Sequence, residues 1–140
     1  MAMTSALFCY GTLCFPQVIR SVIGTVPDSI AVRLEGYACY EVYGVTYPAI
    51  IPEHTATVAG IMYLGLDARQ LKSIDNYESM QYERLPVHVV DNEGKLHKAW
   101  SYVLAPGQYH RIKKQPWSIE RFAKNDLDKY ISRQGWRRQA

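Results

Sequence analysis

Two spacings of apolar residues divide this chain into strands and helices. Residues 6–10 form a short apolar run that predicts a first strand. Pro16 then opens a helical stripe of Val18, Ile19, Val22 and Ile23, which Gly24 ends. Pro27 and Asp28 predict a turn. Residues 30–51 read as β, rich in valine, isoleucine and tyrosine, with Gly36 and Gly44 marking a bulge and a turn. A turn is predicted over residues 52–55 and a further strand over 57–66, where Gly60 and Gly65 point to a barrel corner or a close backbone approach.

Asp67 can cap a helix running from residue 68 to about 77, with Leu71 and Ile74 on one face. Over residues 82–90, Leu85, Val87 and Val89 fall on one face of a strand, and Tyr82, Arg84 and His88 on the other. Asn92, Glu93 and Gly94 predict a hairpin turn into a two-sided strand over 96–104. Residues 106–116 read as an irregular loop, and Ser118 caps a last helix that Gly135 closes. This order is not a repeating βαβ. It predicts one α+β domain over residues 1–140, with a small, curved or barrel-like mixed sheet and helices on its outside.

The composition leaves that picture intact. A hydrophobic share of 48% with 21% charged residues is that of an ordinary globular chain. The net charge of +3 is modest, and Arg133, Arg137 and Arg138 flank Trp136 near the end, a pattern that fits a solvated terminus better than a nucleic-acid surface. No apolar run reaches the roughly 18 residues of a membrane span, so neither a membrane nor a nucleic acid is expected as partner. Cys9, Cys14 and Cys39 are an odd number without metal-ligand spacing and fit the reducing cytoplasm.

Candidate chemistry is sparse. Four scattered histidines suggest no metal site, and no glycine-rich phosphate loop follows Gly11. The hexapeptide from Cys9 to Cys14 carries a strand into a helix, leaving backbone N–H groups free to hold an anion or an oxyanion. By itself it reads as a structural turn. Glu78, at the end of a predicted helix and just before a strand, can face a cleft and shuttle a proton, although a lone glutamate there reads as a solvated helix end. Glu83 competes less well, because the strand phase turns it toward the Leu85 face.

The two stretches gain weight as a pair. "LFCYGTL" near the start and "LKSIDNYESMQYERLPVHV" later resemble the γ-glutamylcyclotransferase-like family, which includes γ-glutamylamine cyclotransferases and plant avirulence-induced proteins. Ile74 stands for the family's leucine, Asp75 and Glu78 match its Asp-x-x-Glu, and Tyr82 and Arg84 supply its Tyr-x-Arg. "YPAI", "AWSYV" and "WSIERF" extend the resemblance along nearly the whole chain, and Ser79 stands where many members have glycine.

The resemblance implies a compact β-barrel with flanking helices and a cavity between the two motifs. It implies Glu78 as catalytic acid/base, with Tyr10, Gly11, Thr12 and Leu13 holding a small γ-glutamyl substrate and Tyr109 as a further substrate-side residue. The implied reaction is cyclisation of a γ-glutamyl amine or γ-glutamyl amino acid to 5-oxoproline, needing no metal or cofactor. A non-catalytic metabolite-binding module on the same fold is the alternative. The residues selecting the leaving amine are expected among Tyr40, Tyr43 and the stretch 106–116. The functional reading requires that residues 10–13 and Glu78 face one cavity.

Overall fold

The computed structural model describes residues 4–78 and 80–132. Strand β1 (Ser5–Cys9) leads through a single 3-10 turn (Thr12–Cys14) into α1 (Pro16–Ile23). Strands β2 (Ser29–Val42) and β3 (Pro48–Leu66) follow, then α2 (Ala68–Glu78), β4 (Tyr82–Asp91) and β5 (Leu96–Leu104). A second 3-10 stretch (Pro106–Arg111), β6 (Ile112–Pro116) and α3 (Ile119–Asn125) complete the elements. Strand order is β3-β1-β5-β4-β2-β6, and β2 also pairs with β3. That pairing closes five strands into a barrel and leaves β6 outside it as an extra strand on β2. The sheet is mixed because β1 runs parallel to β5 while the other pairs are antiparallel.

The pleat sorts side chains into two cores. Phe8, Val32, Leu34, Ile50, Met62 and Val89 belong to a cluster drawn from strands alone, as a sheet closed on itself requires. Their alternates, Leu7, Cys9 and Tyr63 among them, pack with Val18 and Ile19 of α1 and Leu71 and Ile74 of α2. Leu85, Val87 and Val89 join the strand-only cluster and Tyr82 the helix-facing one, as the alternation in β4 predicts. Burying these residues, many to 1% exposure or less, is the main force holding helices to barrel.

Local signals act where the sequence puts them. Gly24 ends α1 in the left-handed region at φ 82°. Asp67 and Gln70 exchange hydrogen bonds of 2.8 and 2.9 Å at the head of α2, a capping box. Gly60 lies under β1, where a Cβ would stand 2.2 Å from the Cys9 carbonyl oxygen, so no larger residue fits.

Three expectations need correction. The turn over residues 52–55 is a bulge inside β3: Glu35 pairs with Thr57 and Tyr37 with Pro52, so the extra residues loop out opposite Gly36. The stretch 106–116 is ordered, with Glu41 and Val42 of β2 pairing with Lys113 and Ile112 of β6. The last helix breaks at Asp126, after which residues 127–132 are helical again. Gly135, Trp136 and the tail arginines lie outside the described residues, as does Ser79. Among the described residues, no helix is long and apolar enough to cross a membrane.

Candidate active site

The chain leaves β1 at Cys9 and is tied down by side chains from elsewhere. The Tyr10 hydroxyl donates to the Tyr102 carbonyl on β5 at 2.6 Å, and the Tyr63 hydroxyl donates to the Leu13 carbonyl at 2.6 Å. Gly11 sits against Pro48, whose ring carbons would lie 2.9 and 3.0 Å from a Cβ at that position. The 3-10 turn uses the carbonyls of Gly11 and Thr12, which accept from Cys14 and Phe15. The N–H groups of Thr12 and Leu13 head the turn and have no carbonyl within it to bond.

Thr12 joins this turn to the end of α2. Its hydroxyl is 2.8 Å from the Tyr77 hydroxyl and 3.5 Å from that of Tyr130, and the two tyrosines bond each other. Glu78 is therefore the neighbour of a residue pinned to the turn. A second clamp fixes the same helix end from the other side. Asp75 accepts from the Tyr102 hydroxyl at 2.5 Å and from Arg84 Nε at 2.8 Å and Nη2 at 3.3 Å. The Arg84 guanidinium in turn lies 4.5 Å above the Trp100 ring.

Between these ties lies a cavity of about 650 Å³. Tyr10, Gly11, Thr12, Leu13 and Glu78 all line it. Burial pushes the Glu78 carboxyl up to about 8 and is the sole cause of that rise. Tyr77, Tyr82 and Tyr102 share the wall, and burial also raises their hydroxyls, so they stay protonated hydrogen-bonding groups. At Glu78 the wall thus offers a carboxyl of adjustable protonation beside neutral hydroxyls.

Other candidates fall elsewhere. Tyr109 sits on the second 3-10 stretch, 40% exposed, and is not in the cavity wall. Tyr40 also lies outside that wall, where its hydroxyl donates to Glu53 at 2.7 Å, whereas Tyr43 lines it. Burial pushes the thiols of Cys14 and Cys39 up to about 12 and raises Cys9 as well, which leaves them unreactive at neutral pH. As site residues the sequence points to Tyr10, Tyr43 and the stretch that holds Lys113, but not to Tyr47, Tyr77, Tyr82, Tyr102, Tyr130 or Glu41, which share the wall. Eleven tyrosines in 140 residues were the available signal.

Comparison with known proteins finds relatives in sequence and in fold. Residues 7–119 match the family model described as "Gamma-glutamyl cyclotransferase, AIG2-like". The chain is 29% identical over 131 residues to AIG2-like protein C of Arabidopsis thaliana, covering 90% of this chain and 73% of that one. It is 30% identical over 124 residues to AIG2-like protein B of the same plant, covering 87% and 62%. Among solved structures, a protein of Arabidopsis thaliana superimposes with a TM-score of 0.75 at 24% identity, covering 99% of this chain and 83% of that one. A gamma-glutamyl cyclotransferase superimposes with a TM-score of 0.68 at 18% identity, covering 95% and 87%. At these identities the two structures speak for the fold, a closed mixed barrel with flanking helices.

Proposed function

The chain belongs to the AIG2-like gamma-glutamyl cyclotransferase family, and from that premise we propose that it cyclises a γ-glutamyl amine or γ-glutamyl amino acid to 5-oxoproline, releasing the amine. One observation carries this reading. A recessed carboxyl raised by burial shares a cavity with a turn whose leading N–H groups lack a helical partner.

The proton chemistry matches. The α-ammonium of a γ-glutamyl compound sits beside its own carboxylate and holds its proton more tightly than a peptide N-terminus, so an ordinary glutamate is far too weak a base for it. Raising the Glu78 carboxyl to about 8 removes roughly 5 kcal/mol from that uphill transfer. Glu78 takes a proton from the ammonium, and the freed nitrogen attacks the γ-carbonyl carbon of the same molecule. The N–H groups of residues 11–13 hold the α-carboxylate or the developing oxyanion. As the tetrahedral centre collapses, the bond to the leaving nitrogen breaks. Two protons in all pass from the attacking to the leaving nitrogen through Glu78, and no water is consumed. Because both reacting groups are in one molecule, the cavity's main task is to hold a folded conformer.

The test is release of 5-oxoproline from a panel of γ-glutamyl amines and amino acids. Release by the wild type and its loss in Glu78→Gln are the expected results. Equal activity of the two proteins would refute the role of Glu78. Thermal stabilisation by 5-oxoproline with no turnover of any panel member would replace the enzyme with a binding module.

A further inference from the structure

We propose that Lys113 selects the leaving group, taking the carboxylate of a departing amine that is itself an acid; this rests on the cyclotransferase reading. Lys113 and Glu41 line the same cavity as Glu78, among the residues of the 43–47 turn. They are cross-strand partners on β6 and β2. The frame around them is fixed: the Tyr43 N–H donates to the Arg111 carbonyl at 2.9 Å, and the Trp117 indole donates to the Thr46 carbonyl at 2.8 Å. This part of the cavity wall is thus built on paired strands, which set where its charged side chains leave the backbone.

The charges there do not balance. Glu41 has two cations beside it, Lys113 Nζ at 3.8 Å and Arg121 Nη1 at 3.6 Å. Both separations exceed hydrogen-bond length, so neither cation has spent its donors on the carboxylate. Glu41 is the more recessed, its side chain 24% exposed against 43% for Lys113. Lys113 can therefore turn its ammonium to an anion in the cavity while Arg121 still neutralises Glu41. An amine carrying a carboxylate completes the set at one negative charge per cation. An amine carrying only a second ammonium meets the excess positive charge, and a neutral amine gains nothing from it.

An ordinary cross-strand ion pair is the competing account, since a partly exposed pair adds little stability and serves only to hold β6 on β2. The two accounts differ in sign. If the pair only holds the strands, Lys113→Met and Glu41→Gln act alike. If Lys113 reads the leaving group, Lys113→Met weakens the preference for an acid, and Glu41→Gln, which removes the competing carboxylate, strengthens it.

The experiment compares γ-glutamyl-alanine with γ-glutamyl-alaninamide, which differ only in that carboxylate. A second pair, the γ-glutamyl amides of 6-aminohexanoate and of pentylamine, places the charge further out. The ratio of kcat/KM within each pair is measured in wild type and both variants. Affinities of the same compounds are measured on Glu78→Gln protein, with and without Lys113→Met, so that a result exists even without turnover. The expected result is preference for the acid in at least one pair, falling about tenfold in Lys113→Met, as one well-placed charge contact supports, and rising in Glu41→Gln. Equal handling of the acid and its uncharged counterpart in both pairs, or movement of both variants in the same direction, overturns the proposal while leaving the cyclotransferase reading intact. Affinity that follows the charge, without turnover of any compound, supports Lys113 and sinks the enzyme instead.

Discussion

Replacing Glu78 by glutamine is expected to stabilise the protein at neutral pH, by an amount that grows as pH rises. The carboxyl ordinarily titrates at 4.5 and in the fold at about 8. Between those values the folded chain binds more protons than the unfolded one, so stability falls with pH across that window. A tenfold difference in proton affinity is worth about 1.4 kcal/mol, which puts the penalty accumulated by pH 7 at about 3 kcal/mol. Solvent at the open side of the cavity reduces it toward about 2 kcal/mol. Glutamine has the shape of the protonated acid and never ionises, so the variant escapes the penalty.

The assay is urea denaturation of both proteins at intervals from pH 5 to pH 8. The gap in unfolding free energy should be close to zero near the ordinary carboxylate value and widen by about 1 kcal/mol for each pH unit above it. A constant gap, or a variant less stable than wild type at pH 7, would refute the reasoning. Glu78 would then ionise freely and be too weak a base for an α-ammonium. The measurement needs no substrate, so it tests the site apart from the reaction.

The same titration predicts that kcat/KM rises with pH along an acid limb centred near 8, as the Glu78 carboxylate forms in the free enzyme; a limb near 4.5 would refute a raised carboxyl as the base. Gly11→Ala drives a methyl into the Pro48 ring, whose residue is also anchored where its carbonyl accepts from Tyr82 at 2.9 Å. It should cost about 1–3 kcal/mol and lower turnover, and unchanged melting together with unchanged turnover would show that the turn tolerates displacement. Asp75→Asn and Arg84→Met, combined in a double-mutant cycle, should show a coupling of about 1 kcal/mol for their half-buried pair; strict additivity would mean that the clamp does not hold α2.

Beyond the barrel-like mixed sheet that the order of elements predicts, what spacing made readable was local. The α1 boundaries, the bulge at Gly36 and the facing of Val87 and Val89 follow from spacing and from single residues with few conformations. The β6 strand was hidden because Lys113, Lys114 and Pro116 carry no apolar alternation; it exists through its pairing with β2. The break at Asp126 was hidden for a related reason, since the apolar spacing continues through it to Tyr130. Pro52 looked like a turn because a strand interior rarely accepts proline, yet it falls where β3 bulges away from β2. The tyrosine wall escaped notice because alternation tells which side of a strand a residue faces and not which distant residue it meets. Tyr10 bonds Tyr102 ninety-two positions away, and Thr12 meets Tyr77 across sixty-five.

The two carboxylates of the Asp-x-x-Glu segment divide the work between holding and reacting. Three positions apart on a helix, Asp75 and Glu78 share one side of α2 near its end. Asp75 spends its oxygens on Tyr102 and Arg84, and so fastens that end of the helix to β4 and β5. Tyr102 is also the residue whose carbonyl receives Tyr10, so one residue of β5 gauges the distance between the two halves of the site. Glu78 is then positioned by its neighbours in the helix, and burial alone sets its proton affinity. That freedom matters for a base, because a carboxylate already holding donors is stabilised as the anion and is drawn away from the pKa of its substrate. A site in which Glu78 was fixed by an arginine of its own would be as well ordered and a poorer proton acceptor. The arginine is present, and it is on Asp75.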